Sequence, residues 1–294
     1  MENFSNVKVI AQKEFTDHLK SPVFLSFTAT FTLVVLAWSY VQGTEVEYTL
    51  NVLGSPDIMR GFKGVAEVVG CFAPIIGIVL GFDAIVKEIR SSSMNVLLTH
   101  PVFRDNIILG KILGSGSCIL LVLFFSINLA TGVMLMASGL PITMQQIIRI
   151  EMFVSLTFFY ALIFLAISIM ISTIAKKSNN SFLFNLIFWL VITVLLAKLI
   201  FTVSYAFSED LNIANSQTQT IKNFLPDYHF SATAVGIKDI NTGLTSGIGG
   251  IFDTRYTLGA WAGEFWPNLA YLFVLPFILL IGSILAFLKK DITY

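Results

Sequence analysis

The sequence is poor in charge and in the side chains that usually hold metals. Only 12% of its 294 residues are charged, and 18 basic residues balance 18 acidic ones. The basic residues are spread along the chain rather than gathered together, which argues against nucleic acid as a partner. Two cysteines and three histidines, all well separated, predict neither a disulfide framework nor a metal site. We interpret Cys71 and Cys118 as small packing residues.

Motifs of common catalytic sites are also missing. No G-x-x-x-x-G-K-[ST] loop occurs, because Gly61-Phe62-Lys63 and Gly110-Lys111 lack the upstream glycine and the following hydroxyl. There is no H-E-x-x-H pair, and His18, His100 and His229 lie in different segments. The sequence therefore predicts a chain that is not an enzyme and holds no cofactor, so that any ATPase acting with it must be a second chain.

Apolar residues dominate what is present. They make up 55% of the chain, which includes 27 Phe, and this is more than one soluble core can bury. A helix needs about 20 apolar residues to cross a bilayer. Six runs fit, at approximately Val23 to Val41, Val65 to Val86, Ile112 to Ala137, Met152 to Ala175, Phe182 to Phe207 and Leu269 to Leu288. We predict an all-α polytopic membrane protein with six transmembrane helices.

The distribution of Lys and Arg predicts the orientation of these helices. With the N-terminus inside, eleven of them lie on the cytoplasmic side and six outside, as the positive-inside rule requires. Both termini are then cytoplasmic, in a multi-pass protein of the cell membrane. Lys111, at the base of the third run, is expected to extend its amine to the interface.

Two segments outside the runs have readable patterns. In residues 1–22 the apolar positions Phe4, Val7, Ala11, Phe15 and Leu19 recur every three or four residues, which predicts an amphipathic helix lying in the interface. Residues 208–267 are polar and rich in glycine, which predicts an irregular external loop with a short helix at Tyr228 to Val235. We expect Trp261 and Trp266 to anchor the last span at the membrane surface.

Between the second and third runs lies a polar segment, KEIRSSSMNVLLTHPVFRDN, at 87–106. Ser91 to Ser93 can cap a helix, Leu97 and Leu98 contribute to an apolar face, and Pro101 ends or bends the helix. On these residues alone the segment is a cytoplasmic connector with a short helix.

Ionisable residues inside the runs are expensive in hydrocarbon. Glu67 and Asp83 lie near opposite ends of the second run, and Lys198 lies in the fifth. They either reach an interface or a partner, or they line a translocation path, and the sequence leaves both alternatives open. Two G-x-x-x-G patterns, at Gly77 and Gly110, predict close helix packing within the chain or across a dimer.

The order of residues at 87–111 resembles the cytoplasmic loop of ABC-2 type permeases, the membrane subunits of a class of ABC exporter. The matching positions are Glu88, Ser91 to Ser93, Leu97, Leu98, Pro101, Arg104, Gly110 and Lys111. AQKEFTDHLKSPVF is similar to the elbow helix of that family, and the resemblance extends over essentially the whole chain. It is strongest to the branch linked to copper-site maturation of nitrous oxide reductase. Ser92 and Met94 depart from the common glycine and leucine.

The resemblance implies one ABC-2 transmembrane domain over 1–294, with an elbow helix at 1–22 and an ATPase-coupling loop at 87–106. Glu88, Ser92, Leu97, Leu98, Pro101 and Arg104 would dock the loop on a cytoplasmic ATPase. It further implies a permease homodimer in membrane lipid, with two ATPase subunits, that moves substrate outward by alternating access. The class of substrate is left undecided: it is either a lipid or drug, or a copper-linked or sulfur-linked cargo. The alternative is a stand-alone ion-driven transporter or an intramembrane enzyme.

Overall fold

The computed structural model describes residues 2–53, 57–90, 104–208, 210–237 and 247–290, and these residues contain helices and no strand. The all-α prediction is confirmed. A π-helical turn, Leu190–Leu195, joins the helices Ser178–Trp189 and Leu196–Ser208. The helices are α1 (Glu2–Lys20), α2 (Pro22–Leu53), α3 (Ile58–Gly81), α4 (Val86–Arg90), α5 (Arg104–Ser138), α6 (Met144–Ile174), α7 (Ser178–Trp189), α8 (Leu196–Ser208), α9 (Leu211–Lys222), α10 (Pro226–Ala234), α11 (Leu258–Glu264) and α12 (Trp266–Leu288).

Within the described part of the chain, six helical segments are long and apolar enough to cross a membrane, as the sequence predicted. They run from 23 to 34 residues, and about 20 suffice. The observed segments extend past the apolar runs because their polar end turns continue the helix. They are Pro22–Tyr48, Ile58–Ile89, Asp105–Ser138, Met144–Ile174, Ser178–Ser208 and Trp266–Leu288.

The second and fourth spans form the centre of the bundle. Of their most apolar stretches, 61% and 67% are buried, against 22% in the first span. Glycines on α3 allow α6 to approach: a Cβ atom on Gly77 would lie 2.5 Å from the Ala161 carbonyl oxygen, and one on Gly81 would lie 2.7 Å from Ser168 Cβ. Both glycines therefore serve contacts within the chain.

Helix α1 packs along the first half of α5. Its apolar stripe faces the bundle, because Val7 is buried and Phe15 and Leu19 pack against the core. Gly110 and Gly114 of α5 make room for it: a Cβ on Gly114 would lie 2.7 Å from the Ala11 carbonyl oxygen. The structure has a helix, Glu2–Lys20, within the predicted range 1–22, and its role as an elbow helix in the membrane interface stays a prediction.

The bundle has two ends. The terminal face carries α1, α4, the start of α5, the link 175–177 and Lys290, whose amine donates to the Thr173 carbonyl oxygen. The loop face carries residues 139–143, 210–237 and 247–265.

The loop face is more helical than the sequence predicted. Helix α10 matches the short helix expected near Tyr228, but α9 and α11 are additional. Local capping explains both helices, because the side chain of Asp210 accepts from Asn212 N and that of Thr257 accepts from Ala260 N.

The expected surface role of Trp261 is wrong. Its side chain is 1% exposed, and the indole Nε1 donates to the Thr233 carbonyl oxygen at 3.0 Å. Burial of the ring against α10 removes it from the membrane surface and makes it part of the core. Trp266, by contrast, is exposed.

Candidate functional site

A buried cluster of charged side chains joins three helices at the terminal face. Lys111 of α5 is 4% exposed at its side chain, and its Nζ lies 2.8 Å from Glu14 Oε1 of α1 and 2.5 Å from Glu88 Oε1 of α4. The expectation that this amine extends to the interface is wrong. Two carboxylates compensate the buried ammonium, which could not otherwise stay charged away from water.

Local structure explains how these three side chains meet. The missing side chain of Gly114 lets α1 approach α5 so closely that a Cβ there would lie 2.8 Å from Glu14 Cβ. After α3 ends, the hydroxyl of Ser172 on α6 accepts hydrogen bonds from the backbone N–H groups of Ile85 (3.1 Å) and Val86 (3.2 Å). This buried contact fixes the start of α4 and so directs Glu88 toward Lys111.

A cavity of about 230 Å³ adjoins the cluster, and Glu14, His18, Asp83, Glu88 and Lys111 are among its lining residues. His18 Nε2 lies 3.1 Å from the Ser115 hydroxyl. Burial lowers the pKa of His18, and the negative charge of Glu14 partly opposes that shift. The imidazole therefore tends to stay neutral next to the lysine.

The structure describes the two flanks of the predicted coupling loop. Glu88 belongs to the buried cluster, and Arg104 begins α5. Ser92, Leu97, Leu98 and Pro101 lie outside the described residues. Sequence spacing did not reveal that Glu88 shares a lysine with Glu14, because the ion pair of Lys111 with Glu14 joins residues 97 positions apart.

The three intramembrane residues that were candidates for a translocation path lie in different places. Asp83 lines the cavity at the terminal face, and Glu67 lines a second cavity nearer the loop face. Glu67 lies on α3 and Asp83 follows the end of that helix, so roughly 24 Å of helix length would separate them at 1.5 Å per residue. Lys198 is exposed on α8. Their role in translocation stays a prediction.

The second cavity, which we call the outer cavity, has a volume of about 350 Å³ and lies between α3, α6, α10 and the π-helical turn. Asp227 Oδ1 and Trp189 Nε1 are buried and have no hydrogen-bond partner among the described residues. Burial raises the pKa of Asp227 to about 6. The sequence patterns did not indicate Asp227, although its place after a helix-starting proline was a usable signal. The outer cavity is lined by Ala66, Glu67, Gly70, Cys71, Tyr160, Trp189, Thr193, Val194, Asp227, Phe230, Ser231 and Val235.

Comparison with known proteins gives a consistent result. The chain is 27% identical over 196 residues to "Probable ABC transporter permease protein NosY" of Stutzerimonas stutzeri. The aligned region covers 64% of this chain and 69% of that protein. It is 31% identical over 112 residues to the protein of the same name from Pseudomonas aeruginosa. That aligned region covers 37% of this chain and 38% of the Pseudomonas protein. Both names agree with the branch that the resemblance indicated. Residues 8–292 match the family described as ABC-2 family transporter protein. The chain therefore belongs to the ABC-2 transporter family, as a multi-pass membrane subunit of an ABC transporter.

Proposed function

We propose that this permease is driven by separate ATPase subunits through the segment 87–106, and that the buried Lys111 cluster transmits the movement. Lys111 holds Glu88, at one flank of that segment, and Glu14, on α1. This shared lysine is the observation that carries the proposal. An ATPase that displaces the loop displaces α4, and the cluster passes the movement to α1 and α5.

The cluster resists separation for an electrostatic reason. Breaking a buried ion pair by losing one partner costs about 3 to 5 kcal/mol, because the remaining charge stays out of water. The three helices therefore move together rather than slide past one another. Packing of Gly110 and Gly114 against α1 adds to the same connection.

The proposed topology has both termini and residues 87–106 in the cytoplasm and residues 208–267 outside, in the cell membrane. An even number of spans supports termini on one side. The terminal face carries Lys8, Lys13, Lys20, Lys87, Lys176, Lys177, Lys289 and Lys290 among its basic residues, in keeping with the positive-inside rule.

The functional unit is proposed to be a homodimer in membrane lipid with two ATPase chains, moving substrate outward by alternating access. The first span has 22% of its most apolar stretch buried, and the fifth has none. Such apolar faces need lipid or a second copy to cover them. The direction of transport rests on family resemblance alone.

Purification of the tagged full chain in detergent from its own host tests the proposal. We expect a chain with a phosphate-binding loop, identified by mass spectrometry, to co-purify and to hydrolyse ATP. Lys111→Gln should lower its recovery at least about fivefold, because two buried carboxylates lose their cation. The matched control Lys177→Gln removes an exposed lysine of the same face and should change nothing. If the unaltered chain brings down no ATPase, the stand-alone transporter or intramembrane enzyme becomes the better account.

A further inference from the structure

We propose that the outer cavity binds a ligand that carries a positively charged ammonium group on an apolar or aromatic body. The inference rests on the proposed function, because it assigns that permease a class of cargo. It uses residues at the opposite end of the bundle from the Lys111 cluster, so the two ideas can fail separately.

Charge is the first argument. The cavity has a carboxylate on each of two walls, Glu67 on α3 and Asp227 on α10, and the described residues that line it include no Lys, Arg or His. Asp227 Oδ1 is buried and without a hydrogen-bond partner in the described part of the chain. A buried carboxylate oxygen that lacks a donor is costly. A ligand N–H group or a cationic charge would supply what this oxygen lacks.

The aromatic walls are the second argument. Tyr160, Trp189 and Phe230 line the cavity, and the rings of Tyr160 and Phe230 stack with centroids 4.5 Å apart. Gly70 permits this arrangement, since a Cβ there would lie 2.7 Å from the ring of Phe230. Aromatic faces attract cations, and the attraction strengthens when water is excluded. Carboxylates beside aromatic faces suit an organic ammonium.

The π-helical turn is the third argument. It begins directly after Trp189 and contains Thr193 and Val194, which also line the cavity. The Thr193 hydroxyl donates to the Trp189 carbonyl oxygen at 2.6 Å, so it satisfies the acceptor of the residue that precedes the turn. Single π-helical turns occur often at functional sites. Here the turn places the unpartnered Trp189 Nε1 on the cavity wall, where it can donate to an acceptor on the ligand.

Size and composition favour an organic cation over a metal ion. A volume of about 350 Å³ falls in the range of small-molecule sites. Among the described residues no group of three His, Cys, Asp or Glu side chains could hold a metal ion. The ammonium could belong to a soluble amine or to the headgroup of a lipid such as phosphatidylethanolamine.

Binding of ethidium to the purified full chain in detergent tests the inference without any ATPase. Ethidium is an aromatic cation whose fluorescence rises when it leaves water, and the anionic dye 8-anilinonaphthalene-1-sulfonate is its counterpart. We expect saturable ethidium binding that weakens about tenfold in Asp227→Asn and in Glu67→Gln. The control Glu264→Gln removes an exposed carboxylate of the loop face outside the cavity and should bind as the unaltered chain does.

Competition identifies the source of the ammonium. Displacement of ethidium by benzyltrimethylammonium supports a soluble amine, and displacement only by dihexanoyl phosphatidylethanolamine supports a lipid headgroup. Displacement by neither compound, ethidium binding by both carboxylate variants as tight as that of the unaltered chain, or stronger binding of the anionic dye would overturn the inference. Size-exclusion profiles of the variants verify their folding, and ATPase recovery should be unchanged in them.

Discussion

At the residue scale, Lys111 shows what sequence patterns can and cannot predict. The sequence predicted its position at the start of a span. It did not predict its burial, because burial depends on two carboxylates from distant helices. Asp227 was missed for a related reason: the polar segment around it indicated a loop, and only the folded chain brings α10 against α3. The local spacing of residues in the sequence therefore cannot predict a site that depends on contacts between distant segments.

Asp227 leads to a prediction about pH. Its pKa is raised to about 6 by burial, so its carboxylate becomes neutral as the pH falls from 7 to 5. A neutral acid attracts a cation less, and ethidium keeps its charge throughout this range. We expect the affinity for ethidium to fall several-fold between pH 7 and pH 5, measured by fluorescence titration.

The control for this prediction is Asp227→Asn, whose affinity should be low and nearly constant with pH. A pH dependence that persists unchanged in this variant would show that another group controls binding. The titratable groups that face Asp227 or share its cavity are Glu67, Cys71, Tyr160, Lys222 and Tyr271.

At the scale of elements, membrane length explains why the spans were predictable. A bilayer requires about 20 apolar residues in a row, and this requirement is visible without any tertiary contact. The exact ends of the helices could not be predicted. The interval between α3 and α4 depends on Ser172 of α6, and the π-helical turn lies inside an apolar run whose sequence gives no sign of it. The G-x-x-x-G patterns predicted close packing, and the structure identifies α6 and α1 as the neighbours.

The packing of α1 on α5 gives a prediction at this scale. In Gly114→Leu the new side chain would meet the backbone of Ala11 and Glu14 Cβ, so α1 must move away and Glu14 must leave Lys111. We expect a loss of stability of about 3 kcal/mol or more, since overpacking and a broken buried pair add. Thermal unfolding in detergent measures it.

Gly132→Leu is the matched control, because Gly132 lies on the same helix and a Cβ there meets nothing within 4 Å. Its melting temperature should stay close to that of the unaltered chain. Equal melting temperatures for both variants would contradict the close contact between α1 and α5.

At the scale of the whole molecule, the proposed mechanism requires the two cavities to lie toward opposite sides of the membrane. The cavity beside Lys111 lies at the end that carries α4 and the start of α5, and the outer cavity lies near α10. Between them α3 and α6 pack closely through Gly77 and Gly81. A ligand can pass from one end to the other only if these spans separate or if the path runs along the face of a second copy.

The last prediction tests the sidedness on which this mechanism depends. Single cysteines at Asn179 and Thr220, in a chain lacking Cys71 and Cys118, should react from opposite sides of the membrane. Both positions are exposed, the first in the first turn of α7, directly after the link 175–177, and the second on α9. Thr220 is preferred over its neighbour Thr218, which is only 4% exposed.

In intact cells an impermeant maleimide should label Thr220→Cys and spare Asn179→Cys until the membrane is permeabilised. The reason is the excess of lysine at the terminal face, which favours the cytoplasm. The opposite pattern would put residues 87–106 outside, beyond the reach of any cytoplasmic ATPase, and would remove the coupling role of Lys111. Labelling of both positions from one side would instead contradict a membrane crossing by Ser178–Ser208, because Asn179 lies at the start of this span and Thr220 lies beyond its end.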